Sequence, residues 1–137
     1  MKFTLILLLL LPTFLFAQNT NQTDSVNDNK MEWFQDAKLG IFIHWGIYAV
    51  NGISESWSFF NDQISHKDYL KQTEGFTCEN YDPEFWAKLI KESGAKYSVI
   101  TSKHHDGFAL WDTKLGELNA VKHAAVKKDV LTPFVKA

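Results

Sequence analysis

Three histidines come shortly after two segments rich in apolar or β-forming residues, and their chemistry suits a polar ligand. His44 follows the run 40–43, and His104 and His105 come soon after the run 97–101. A neutral imidazole carries one hydrogen-bond donor and one acceptor, which matches the hydroxyl groups of a polyhydroxylated ligand. Because active sites of (β/α) barrels lie at the carboxyl ends of the strands, the two clusters predict a ligand site at one rim.

Two other interpretations of the histidines stay open on sequence grounds. Adjacent residues in an extended chain point in opposite directions, and neither HxH nor HExxH spacing is present, so no metal and no cofactor are predicted. Alternatively, the histidines belong to the core or to loops and have ordinary backbone partners. Asp106 could orient a histidine or act as an acid, but Asp106-Gly107 is foremost a turn sequence.

Glu55 and Trp57 lie in the polar segment that follows the first apolar run. A carboxyl group among aromatic rings can serve as a general acid, although an ordinary surface glutamate is the simpler interpretation. Trp57 offers a flat apolar face on which a sugar ring can pack, or it packs within its own loop. Cys78 is the single cysteine, so no intramolecular disulfide forms, and no basic neighbour activates its thiol.

The elements that must position these side chains alternate between strand and helix. In order, the sequence predicts a helix over 31–38, a strand over 40–43, a long loop over 51–81 with a short helix at 66–71, a helix from Asp82 to Gly94, a strand over 97–101 and a helix beginning near 129. The first strand shows no polar alternation, which is typical of a strand covered on both faces. This βαβα order predicts an α/β fold with helices outside a parallel sheet.

Alternation of side chains along a strand predicts which residues share a face. Phe42 and His44 share one face of the first strand, so they point into a barrel interior if the isoleucines between them pack on helices. The same alternation runs from Ser98 through Ile100 to His104 on one side of the second strand. We therefore expect Phe42 and His44 to line the same site.

The first 30 residues predict export followed by a segment without structure. Lys2 and the apolar run that ends at Ala17 are typical of a secretory signal peptide over 1–17. A secreted or periplasmic protein is expected, with no membrane anchor after cleavage. Residues 18–30 are polar and predict a disordered lead-in to a domain over 31–137. The net charge is −2 and no basic run is present, so nucleic acid is not an expected partner.

At the histidine clusters the sequence resembles the α-L-fucosidase family, glycoside hydrolase family 29. The similar segments are WFQDAKLGIFIHWGIYAV (33–50), ESWSF (55–59), FWAKLIKESGAKYSVITSKHHDGFALWDT (85–113) and KKDVL (127–131). HWG after an apolar strand, followed at this distance by KHHDGF, is more specific than either motif alone. The resemblance implies the N-terminal portion of a (β/α)8 barrel of the TIM type, incomplete here, and retaining hydrolysis of terminal α-L-fucosyl residues.

The same resemblance implies substrate-binding roles for five residues. His44, His104 and His105 match histidines that bind the hydroxyl groups of fucose. Phe42 matches the residue that lines the pocket for the methyl group of the sugar, and Trp57 matches a tryptophan of the family's site. The expected partner is a fucosylated oligosaccharide or glycoconjugate.

Two departures from the family pattern concern catalysis. Ser56 stands where some members carry a glutamate that acts as general acid/base, which leaves Glu55 as the acid/base candidate. The family's nucleophilic aspartate lies on a later barrel strand, so it is expected beyond these 137 residues, which alone should be inactive. A non-catalytic fucose-binding module and a metal hydrolase that uses the histidines are the alternatives.

Overall fold

The computed structural model describes the backbone of residues 24–137 and the side chains from Lys30 onward. The predicted signal peptide (1–17) and the first part of the polar lead-in lie outside the described residues. The chain divides into an N-terminal unit that ends at Asp36 and a larger unit from Ala37 to Ala137, and all of helix α1 (Asp24–Ala37) except its last residue belongs to the first. No helix in the described range is both long and apolar enough to cross a lipid bilayer.

Helix α1 starts earlier than the sequence predicts. It begins at Asp24, within the polar segment 18–30 for which disorder is expected, and it continues through the predicted helix to Ala37. Once a first turn exists, each further residue adds a backbone hydrogen bond, so a helix can extend into a segment that has no apolar stripe. Residues 24–30 are therefore described as part of this helix, and disorder of the polar segment stays a prediction.

The larger unit contains a pair of parallel strands, β1 (Gly40–Ile43) and β2 (Tyr97–Ile100), and Ile43 lies opposite Ile100. Both strands and their parallel pairing are confirmed as predicted. Each run favours a strand locally, since one is apolar without interruption and the other is rich in β-forming residues, and the long crossover between them allows a parallel pair.

Short helices form between and after the strands. They are α2 (Trp57–Phe60), α3 (His66–Leu70), α4 (Pro83–Glu92) and α5 (Leu131–Lys136), with 3₁₀ helices at Ile47–Ala49 and Lys71–Glu74. Helix α4 is confirmed with its predicted ends. The Asp82 side chain accepts a hydrogen bond from the Phe85 N–H at 3.0 Å, and Gly94 follows the last turn with φ of 82°. Local sequence sets both ends, because aspartate is a strong N-cap and glycine adopts positive φ at little cost.

The hydrophobic core of this unit lies beyond the carboxyl ends of the strands. Its buried residues are Ile47, Tyr48, Tyr69, Phe76, Phe108, Leu110, Ala120, Ala124 and Val130. They come from the segment that follows β1 and the segment that follows β2. The segment 51–81, for which a long loop is predicted, is therefore held by the aromatic rings that it contributes to this core.

The two faces of the sheet explain one departure from simple alternation. Phe42 and Val99 are paired across the sheet and are 67% and 40% exposed. Ile100 lies on the opposite face and lines a cavity together with residues of α4 and α5. Strict alternation would put His104 on that helix-covered side, away from His44. Because β2 ends at Ile100, the alternation stops there, and the loop brings His104 to His44 instead.

Candidate functional site

The three predicted histidines form a continuous row of rings. The ring centroids of His44 and His104 are 4.7 Å apart, and those of His104 and His105 are 4.9 Å apart. His44 and His105 are exposed, and His104 is half-buried. The row follows the carboxyl ends of β1 and β2, so imidazole nitrogens from both strands can meet one ligand there.

Tyr48 packs against two of these histidines and is not among the residues predicted for the site. Its ring centroid lies 5.3 Å from that of His44 and 6.2 Å from that of His104, and its side chain is buried. A β-carbon at Gly46 would lie 2.6 Å from Cε1 of Tyr48, which is inside the contact distance of two carbon atoms. Glycine in the HWG motif therefore makes room for the tyrosine ring, and this is the only signal of Tyr48 in the sequence.

Ser56 connects the segment after β1 to the histidine row. Its hydroxyl oxygen lies 3.5 Å from Nδ1 of His104, and its side chain is buried. The turn around it is held by the Ser58 hydroxyl, which contacts the carbonyl oxygens of Ser54 and Glu55 at 2.5 and 2.7 Å. Because a hydroxyl can donate or accept, this contact fits either tautomer of His104, and it leaves Nε2 as the ring nitrogen that can meet a ligand.

Asp106 holds the turn that carries His104 and His105. One carboxylate oxygen accepts a hydrogen bond from the Tyr69 hydroxyl at 2.7 Å, and the other accepts from the Phe108 N–H at 2.9 Å. Burial raises the pKa of Tyr69, and the contact with Asp106 raises it further, so the hydroxyl stays protonated and donates. The predicted Asp-Gly turn is confirmed, and both oxygens of this carboxylate are already engaged within the fold.

Glu55 lies near the row without joining it. It is half-buried, and its carboxylate forms no hydrogen bond or ion pair with any described residue. Burial raises the pKa of Tyr48, and the charges of Asp106 and Glu55 raise it further. The charge of Glu55 therefore reaches Tyr48, the tyrosine that packs against His44 and His104.

Trp57 and His105 line the same cleft. Together with Ser56, Phe59 and Phe60 they enclose about 320 Å³. Trp57 is 54% exposed, and its ring meets that of Phe60 edge-on at 5.4 Å. Aromatic walls beside a histidine suit a ligand with one apolar and one polar edge. A larger cavity of about 470 Å³ lies between β2, α4 and α5, but no described histidine lines it.

Phe42 keeps its predicted place on the strand, but it makes no ring contact with a histidine in the described part of the chain. Its ring is exposed. Among the described residues, no group of three His, Cys, Asp or Glu side chains is arranged to hold a metal ion. The structure thus brings the three histidines together, and Phe42 takes no part in the ring contacts that connect them.

Comparison with known proteins identifies the family. Residues 15–137 match the family model described as α-L-fucosidase. The chain belongs to the α-L-fucosidase family. Its relatives include an α-L-fucosidase of Branchiostoma floridae, 37% identical over 108 residues, and the plasma α-L-fucosidase of Homo sapiens, 35% identical over 118 residues. These alignments cover 66% and 72% of this chain and 24% of each relative, so the chain spans about a quarter of their length.

Solved structures of the family are similar to this chain in fold. An α-L-fucosidase from Bacteroides thetaiotaomicron, trapped as a covalent intermediate with 2-fluoro-fucosyl fluoride, has a TM-score of 0.72 at 35% identity, over 80% of this chain and 27% of that one. The Thermotoga maritima α-fucosidase in complex with fucose has a TM-score of 0.65 at 38% identity, over 77% of this chain and 31% of the Thermotoga chain. The resemblance based on the HWG and KHHDGF motifs is therefore confirmed.

Proposed function

We propose that this chain forms the N-terminal part of the catalytic barrel of a retaining α-L-fucosidase and contributes the side chains that bind fucose. The observation that carries the proposal is the row of His44, His104 and His105 beyond two neighbouring parallel strands. Barrel enzymes have their active sites at this rim. Family membership, and the similarity to a fucosidase solved with fucose, support the same sugar as substrate.

Each side chain of the proposed site suits one part of the sugar. Three imidazole rings spaced about 5 Å apart can exchange hydrogen bonds with neighbouring ring hydroxyls. Fucose is a 6-deoxy sugar, so its methyl group needs an apolar contact, and we assign that contact to Phe42. Trp57, in the cleft beside His105, is assigned to a C–H face of the fucosyl group or of the adjoining glycan.

Retaining hydrolysis needs two carboxyl groups about 5–5.5 Å apart. The acid/base residue protonates the leaving oxygen while the nucleophile attacks the anomeric carbon, and it then activates water to release the sugar. Glu55 is our candidate for the acid/base residue, because it is half-buried and forms no hydrogen bond with a described residue. The family resemblance implies that the nucleophilic aspartate lies on a later barrel strand, and Asp106 is not our candidate because Tyr69 and the Phe108 N–H hold its two carboxylate oxygens.

Alanine variants of the three histidines in the complete protein test the proposal. Truncation leaves a hydroxyl of the bound sugar without a partner at a cost of about 1–3 kcal/mol, or roughly one to two decades in kcat/KM on an aryl α-L-fucoside. His123→Ala, at an exposed histidine outside the row, and Asp112→Ala, at an exposed aspartate, are the controls and should keep wild-type kinetics. Wild-type kcat/KM in all three row variants would contradict the proposal.

A non-catalytic fucose-binding module is the alternative function, since the histidine row is a sugar-binding feature and Glu55 is a single carboxyl candidate. Calorimetric titration with fucose, run beside the hydrolysis assay, separates the two functions. A protein that binds fucose through His44 and His104 without releasing the aryl group is a binding module. Loss of hydrolysis after chelation, with recovery on adding a divalent metal, would instead favour a metal hydrolase.

We also propose export of the protein. The support is the sequence of residues 1–17, where Lys2 precedes an apolar run that ends in Ala17. N-terminal sequencing of protein from its native host should begin at Gln18 or within a few residues of it. An intact Met1 in a soluble cytoplasmic fraction would contradict export.

A further inference from the structure

The hydroxyl group of Thr101 makes three polar contacts just past the end of β2. The Trp45 N–H donates to Oγ1 of Thr101 at 2.9 Å, and Oγ1 donates to the Trp45 carbonyl at 3.0 Å. The Tyr48 hydroxyl lies 3.4 Å from the same oxygen. A threonine hydroxyl has one proton, and the Trp45 carbonyl takes it, so Tyr48 must be the donor in the third contact.

These contacts surround His44 on both sides along the chain. The Thr101 N–H donates to the carbonyl of Ile43 at 3.1 Å, which is the carbonyl of the peptide unit before His44. The Trp45 N–H belongs to the peptide unit after His44, and it donates to the Thr101 side chain. Both peptide units that flank His44 are therefore bonded to one residue. Since the two flanking peptide planes define φ and ψ of a residue, Thr101 determines the direction in which the His44 side chain leaves the backbone.

Thr101 also acts on the ring of His44 through Tyr48. The buried Tyr48 ring packs at 5.3 Å from the His44 ring, and the Tyr48 hydroxyl contacts Oγ1 of Thr101. From these contacts we infer that Thr101 is the positioning residue for His44. β1 ends at Ile43, and beyond that point the Thr101 side chain continues the contact between the two strands by bonding to the backbone of Trp45. The importance of this position for hydrolysis rests on the proposed function, whereas the geometric role does not.

Hydrogen exchange tests the geometric role without any assay of activity. Thr101→Val keeps the branched shape of the side chain and removes the hydroxyl, and Thr101→Ser keeps the hydroxyl. In the full chain, the amide of Trp45 should exchange at least about tenfold faster in Thr101→Val, because its acceptor is lost, and near the wild-type rate in Thr101→Ser. Thr113→Val is the matched control, because it removes a hydroxyl that accepts from the Leu115 N–H at 3.1 Å in another loop.

Kinetics then distinguish positioning of His44 from a general structural role. Thr101→Val should lower kcat/KM on an aryl α-L-fucoside about tenfold, with recovery in Thr101→Ser. In a His44→Ala background, Thr101→Val should lower kcat/KM by less than about twofold, because the side chain that Thr101 positions is absent. An equal loss in both backgrounds, or unchanged exchange of the Trp45 amide, overturns the assignment of Thr101. A wild-type protein that does not hydrolyse fucosides overturns the proposed function, and the exchange rates still decide the role of Thr101.

Discussion

Replacing Tyr69 by phenylalanine tests the bond that ties the segment after β1 to the histidine turn. Tyr69 is fully buried, Asp106 is 6% exposed, and the tyrosine oxygen lies 2.7 Å from the carboxylate oxygen. Tyr69→Phe removes this one oxygen and preserves the ring that packs edge-on against Phe59 at 4.9 Å. Asp106 keeps its hydrogen bond from the Phe108 N–H and loses its other donor.

The expected cost follows from the charge and burial of the acceptor. A hydrogen bond to a charged group contributes about 1.5–3 kcal/mol, more than a bond between neutral groups. We therefore expect Tyr69→Phe to lower the free energy of unfolding by about 2–3 kcal/mol. Tyr81→Phe is the matched comparison, because the Tyr81 hydroxyl donates at the same 2.7 Å to the neutral carbonyl of Val130. Its expected cost is about 1 kcal/mol.

Urea unfolding of the complete protein, followed by tryptophan fluorescence, measures the loss in free energy of unfolding for each variant. The loss is given by the shift of the urea midpoint, provided that the dependence of the free energy on urea concentration is unchanged. Activity gives a second reading, because movement of the Asp106 turn displaces His104 and His105 and should lower kcat/KM in Tyr69→Phe. A cost for Tyr69→Phe no greater than that for Tyr81→Phe would refute the reasoning, since the charged acceptor would then contribute nothing beyond a neutral carbonyl.

Three other substitutions or measurements address separate features. Gly46→Ala places a β-carbon against the ring of Tyr48, so kcat/KM should fall by about tenfold or more; wild-type kinetics would show that the ring moves freely. Burial raises the pKa of the Cys78 thiol to about 11, so its alkylation by iodoacetamide should be slow at pH 8 and rise about tenfold per pH unit towards pH 11; a plateau by pH 9 would contradict this. Asp82→Ala removes the N-cap of α4 and should lower the free energy of unfolding by about 1 kcal/mol in urea titrations, and an unchanged midpoint would contradict it.

The raised pKa of Cys78 also has a consequence for stability. The folded state holds the thiol proton more tightly than the unfolded state, in which the pKa of the thiol is 9.0. The contribution to stability is therefore complete below pH 9 and is lost as the pH rises through about 11.

Local patterns in the sequence determine the regular elements of this protein. The apolar run 40–43 and the run 97–100 become strands because both are rich in β-branched and aromatic residues, which favour extended chain. Helix α4 starts after Asp82 and stops before Gly94, because capping and positive φ depend only on neighbouring residues. The order of these elements also indicates a parallel sheet, and with it the rim at which His44 and the pair His104-His105 lie.

The arrangement within the site is decided only by the tertiary structure. Alternation predicts side-chain direction only while the chain stays extended, and β2 ends at Ile100. Beyond that point the path of the chain is set by contacts between distant residues. Ser56 meets His104 across 48 positions, and the backbone of Trp45 meets the Thr101 hydroxyl across 56. No local pattern encodes such pairs, because each partner is satisfied equally well by water until the core around Tyr69 brings them together.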